Sequence, residues 1–126
     1  TGDTCMLVKH VDECRPFVAI DGCMIRELLH PAYGDCQLPY SLAIAEVAVG
    51  GHTHPHRLDR DEVYFILDGR GRLHVNEETA ELGTGAAALI PAGSAQWIES
   101  LGPAPLRFAA LVSPPWDAAG DRRIED

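Results

Sequence analysis

No apolar run in this chain approaches the ~20 residues that a membrane-spanning helix needs. The first residues lack the basic-then-apolar pattern of a secretory leader, so the cytoplasm is the expected compartment. Basic residues are scarce: 10 Lys and Arg stand against 19 Asp and Glu, for a formal net charge of −9. Binding to phosphate backbones or anionic membranes asks for a basic face, so nucleic acid and membrane are not expected partners. The four cysteines, at 5, 14, 23 and 36, include no close pair of the C-x2-C kind, which argues against a zinc knuckle. Reduced thiols are the expected state, since a domain of this size needs no disulfide staples. There is no internal repeat of solenoid length, no nucleotide-binding glycine loop, no G-x-S-x-G elbow and no protease-like Cys/His arrangement.

What is present reads as one all-β domain. The 126 residues are 46% hydrophobic and 23% charged, an ordinary globular balance. Residues 1–40 are irregular. Phe17–Ile20 is a short apolar run stopped by Asp21-Gly22, and residues 23–29 fit either a strand or a helical turn. From residue 41 the pattern is regular. Ser41–Val49 alternates, with Leu42, Ile44, Val47 and Val49 as its bulky apolar members, and ends at Gly50-Gly51. Residues 62–67 and 71–76 read as two strands joined at Asp68-Gly69, as a hairpin or a tight corner. Short strands follow over 86–90, 96–99 and 106–112, punctuated by Gly and Pro. Residues 117–126 are polar and charged, as in a surface tail. Many short strands with such turns predict a sandwich or barrel.

Three of the six histidines fall within five residues, His52-Thr53-His54-Pro55-His56. In an extended chain all three point to one face, because strand side chains alternate with period two. Glu62 opens the next strand. Imidazoles and a carboxylate meeting from adjacent strands suit one divalent transition metal (Fe, Mn, Zn, Ni or Co) rather than calcium or magnesium. The competing reading is an exposed His-rich loop.

At this point the chain resembles the cupin family. His54-Pro55-His56, then Glu62 through Gly69, is similar to the first cupin motif, in which six residues separate the glutamate from a glycine. Gly85 and Pro91-Ala92-Gly93 are similar to the second. The resemblance covers about residues 41–112 and implies a single-domain double-stranded β-helix, or jelly-roll barrel, spanning 1–126, with residues 1–40 as an N-terminal extension. It implies His54, His56, Glu62 and Gln96 as metal ligands, with His52 as an alternative to His56 in the pair. It also implies a homodimer.

Three departures stand out. Five residues separate His56 from Glu62, where the family has three or four. Ala48 stands where a glycine is expected six residues before His54. The second-motif histidine is replaced by Gln96, and its final Asn by Ser100. Gln96 then reads as a weak amide ligand, as a gap beside a three-ligand metal, or as a polar residue in a site that has decayed. Tyr64 shares a face with Glu62 and is a candidate acid/base group, against the alternative of barrel packing. The local string Gln96-Trp97-Ile98-Glu99, with Ser113-Pro114-Pro115-Trp116, resembles an uncharacterised bacterial and archaeal subgroup. The expected function is a metal-dependent enzyme acting on a small polar molecule, as a dioxygenase, isomerase, epimerase or lyase. The alternative is a non-catalytic barrel that binds or senses a small ligand around a structural metal.

Overall fold

The computed structural model describes residues 6–125. Eleven strands follow in order: β1 (Phe17–Val18), β2 (Met24–Leu29), β3 (Ser41–Val47), β4 (His56–Leu58), β5 (Asp61–Asp68), β6 (Gly71–Val75), β7 (Glu78–Leu82), β8 (Ala87–Ile90), β9 (Ala95–Ser100), β10 (Leu106–Ser113) and β11 (Asp121–Arg123). They form two antiparallel sheets, β1-β2-β3-β10-β5-β8 and β11-β4-β9-β6-β7. No described helix is long and apolar enough to cross a membrane. The all-β jelly-roll expectation holds, and residues 24–29 are a strand.

Asp68-Gly69 is a corner, because β5 and β6 lie in different sheets. Gly69 has φ +82°, and a Cβ there would come within 2.6 Å of the Pro105 carbonyl oxygen, so only glycine lets the chain turn against the strand that begins at Leu106.

The core lies between the sheets and contains Ile66, Leu73, Ile90, Ile98, Leu106 and Phe108. One face of it is deliberately small. On β3 the inward residues are Ser41, Ala43, Ala45 and Val47, while the bulkier Leu42 and Ile44 face out. On β10, Ala110 points in and Leu111 points out. Short side chains opposite Tyr64 and Glu62 leave open space inside the barrel rather than filling it.

The segment expected as a surface tail is built into the second sheet. β11 pairs with β4, Asp121 opposite Leu58 and Arg123 opposite His56. Asp121 is buried. Cys14, Cys23 and Cys36 are free thiols, and Cys5 lies outside the described residues.

Candidate functional site

The site is assembled by register. β4 pairs with β9 so that His56 stands opposite Gln96. β5 alternates burial along its length, sending Glu62, Tyr64 and Ile66 inward and Phe65 outward. Thus His56, Glu62, Gln96 and Tyr64 meet inside the barrel, with residue exposures of 3%, 7%, 2% and 4%. A turn and a strand add carboxylates that the sequence pattern does not reveal. Asp21 comes from the turn before β2, held by its own Oδ1 accepting from the Cys23 amide at 3.0 Å. Asp121 comes from β11.

Two hydrogen-bonded chains result. In the first, the Tyr64 hydroxyl donates to Gln96 Oε1 at 3.1 Å, and Gln96 Nε2 donates to Glu62 Oε1 at 3.1 Å. Tyr64 thereby fixes the amide so that its NH2 end faces the carboxylate. In the second, Trp116 Nε1 donates to Asp121 Oδ2 at 3.1 Å, and His56 Nδ1 donates to Asp121 Oδ1 at 2.7 Å. The other ring nitrogen, Nε2, lies 3.3 Å from Asp21 Oδ2 but has no hydrogen-bond partner, although it is fully buried.

These surroundings move protons. Burial pushes the Glu62 carboxyl up to about 7, against the pull of the Gln96 amide and His56, and with a push from Asp121 and Asp21. Burial alone lowers the His56 imidazole. The Asp121 hydrogen bond and the charges of Asp21, Asp121 and Glu62 outweigh it, so the net direction is up. Burial also raises Asp21, with His56 opposing. The Tyr64 phenol is raised well above its ordinary range by burial and by Glu62, so it stays protonated and is not available as a base.

Asp21, His56, Glu62, Tyr64 and Asp121 line a cavity of about 50 Å3. Phe17, Glu27 and Trp116 line it and also line a groove of about 510 Å3 outside, so the two are neighbours across those side chains.

His54 and His52 are not brought to this cavity. His54 Nε2 lies 3.2 Å from the Ile124 carbonyl oxygen, and His52 is an exposed ring edge-on to Trp97 at 5.5 Å. The physical reason is Pro55. It has no N–H to donate to a ladder, residues 53–55 fall outside any strand, and Thr53 and His56 both turn inward across it. Thr53 Oγ1 accepts from the Ile98 amide at 3.0 Å, which holds the inward turn. Period-two reasoning fails across that break.

The same observation resolves two of the departures seen in the sequence. With His56 as the first histidine of the motif, Gly50 stands six residues before it, in a turn at φ +76°. Three residues then separate position 58 from Glu62, as the pattern asks. Position 58, where the second histidine belongs, is Leu58, 2% exposed in the core. Two of the three imidazole positions are therefore Leu58 and Gln96. Among the described residues, no three His, Cys, Asp or Glu side chains are placed to hold a metal ion. The Gln96 amide is already engaged at both ends. The residues present do not fit the ion that the motif implies.

Comparison with known proteins agrees with this architecture. Residues 43–113 match the family model described as "Cupin domain". The chain is 37% identical over 106 residues to the uncharacterised protein MJ1618 of Methanocaldococcus jannaschii, covering 83% of this chain and 84% of that one. Among solved structures it resembles the polyketide cyclase RemF from Streptomyces resistomycificus. That match has a TM-score of 0.80 and 21% identity, over 97% of this chain and 87% of the other. It also resembles a predicted oxalate decarboxylase from Thermotoga maritima, with a TM-score of 0.71 and 22% identity, over 86% and 99%. At these identities the structural likenesses speak to the fold.

Proposed function

This chain belongs to the cupin family, and from that premise we propose that its barrel interior takes the reactive end of a small polar molecule and acts on it by proton transfer. Glu62 is the group that takes and returns the proton. The observation that carries the reading is a carboxyl buried in a cavity with its proton affinity raised to about 7, near the pH at which a general base and acid are equally served. Gln96 orients that carboxyl, and Tyr64 orients Gln96, so Tyr64 is a positioning residue. His56, tied to Asp121, leaves Nε2 free to hydrogen-bond to the substrate.

The reaction classes that fit all begin with Glu62 removing a proton from a C–H bond beside a carbonyl. In isomerisation it delivers the proton to a neighbouring atom, in epimerisation a proton returns to the opposite face of the same carbon, and in lyase chemistry a group on the adjacent carbon departs with its bonding electrons. The oxygenase branch depends on an Fe, Mn, Zn, Ni or Co ion, and one imidazole with an occupied amide is a poor holder for it. The polyketide cyclase and the predicted oxalate decarboxylase are neighbours in fold that support an enzymatic use of such a barrel.

A homodimer is part of this reading. The outer face of the first sheet is apolar across four adjacent strands: Leu42 and Ile44 on β3, Leu111 on β10, Val63 and Phe65 on β5, and Leu89 on β8. Phe65 is 43% exposed and Leu89 66%. A second copy covering this face removes that surface from water.

The test is exchange of substrate C–H protons with D2O, followed by NMR across small carbonyl compounds. The intact protein accelerates exchange, and Glu62→Gln lowers the rate by about 10² or more, the usual contribution of a general base. A Glu62→Gln protein that exchanges at the original rate removes Glu62 from the chemistry.

A further inference from the structure

The cavity gathers carboxyl groups, and any of them that ionises finds little positive charge in the lining to balance it. Four carboxylates line it, Asp21, Glu27, Glu62 and Asp121, against a single imidazole, His56, and no Lys or Arg is among its lining residues. Buried charges are ordinarily paired, because an uncompensated one is costly to remove from water. Asp121 is partnered, by His56 and Trp116. Glu62 has one partner, Gln96, on one of its two oxygens. Asp21 accepts on Oδ1 from Cys23, while its Oδ2 faces His56 without hydrogen-bond geometry. The His56 side chain, 4% exposed, lines the cavity, and its buried Nε2 has no hydrogen-bond partner although Asp21 Oδ2 lies 3.3 Å away. The walls nearest the outer groove are the aromatic rings of Phe17 and Trp116, 6.4 Å apart between centroids.

We propose that the ligand of this cavity is a small organic cation, a protonated amine, whose ammonium group is held by Asp21 and Glu27 beside the rings of Phe17 and Trp116. An ammonium supplies the positive charge the lining lacks, donates to carboxylate oxygens left open, and is attracted to aromatic faces. Small acid anions are repelled by the same carboxylates. The remainder of the molecule lies in the outer groove that shares Phe17, Glu27 and Trp116. This inference rests on the cavity being the working site, as proposed above, but it concerns binding and not turnover.

The fluorescence of Trp116 tests it. In Trp97→Phe, Trp116 is the one remaining tryptophan, and Trp97 lies on the outer face, stacked on His74. Ethylammonium, acetate and ethanol are titrated at equal ionic strength into protein treated with a chelator. The expected result is a saturable change with ethylammonium and none with acetate. Asp21→Asn and, separately, Glu27→Gln each weaken ethylammonium binding about tenfold or more, the loss of one charge-assisted contact. Circular dichroism checks that both variants fold, and either folded variant suffices for the comparison. The inference is overturned if acetate saturates as tightly as ethylammonium, if ethylammonium gives no saturable change, or if its curve is unchanged in a folded variant. It is also overturned if the response appears only with a divalent metal ion restored. Any of these leaves the Glu62 exchange experiment standing as a separate result.

Discussion

Glu62 makes the protein's stability depend on pH in a defined direction. Its proton affinity is higher in the folded chain, about 7 against an ordinary 4.5, so the folded state binds the proton more tightly. The contribution is intact below about pH 4.5 and is lost as pH rises toward 7, by an amount on the order of 3 kcal/mol. His56 acts in the same sense, since its affinity is also raised above 6.5: its share is present below that value and is lost as pH rises further. Urea denaturation across this range is expected to show stability falling as pH rises, and Glu62→Gln is expected to flatten the curve between pH 4.5 and 7. An unchanged slope in the variant assigns the pH dependence elsewhere. His56, Glu62 and Gln96 were legible as residues that meet inside the barrel because motif spacing survives without knowing the fold. His54 and His52 lie away from the cavity although period two reads them inward, because Pro55 breaks that period. Leu58 was invisible as a ligand position because a leucine next to a strand looks like ordinary core.

At the level of elements, the final segment is the surprise. Asp121-Arg122-Arg123 has no β-branched or aromatic residue, and nothing local in it announces a strand. It becomes one through pairing with β4, helped by Asp59 and Ile124 amides donating to Gly120 and Pro55 carbonyls. Trp116 ties the segment to the first sheet, its amide donating to Ser41 Oγ at 2.9 Å and its carbonyl accepting from His30 Nε2 at 2.7 Å. The strap therefore delivers the carboxylate that sets the state of His56. Asp121→Asn is expected to lower the pH at which the His56 ring titrates in NMR and to cost about 1.5–3 kcal/mol, the range for a hydrogen bond to a charged group. An unchanged His56 titration removes Asp121 from control of that ring. β3 teaches a related lesson. Its alternation was plain in the sequence, but its bulkier residues face outward, because the inward face opposite Tyr64 and Glu62 stays small to keep the cavity open.

The molecule as a whole was the most legible level. Strand positions, turn glycines and the two-motif order are redundant signals, so an error at one residue does not change the barrel. What a single chain's pattern does not announce is its outer apolar face, since the alternation of β3 and β10 is apolar on both sides. Replacing Phe65 and Leu111 by Glu is expected to convert a dimer to a monomer in light scattering after gel filtration, with the barrel's circular dichroism retained. A wild-type monomer, or a variant that stays dimeric, removes this face as the interface. The proposed chemistry depends above all on one carboxyl inside that barrel. Its most direct test is the 13C titration of the Glu62 side-chain carboxyl, assigned by its disappearance in Glu62→Gln. A midpoint at about 7 is expected, and a midpoint near the ordinary 4.5 removes Glu62 as the buried proton carrier.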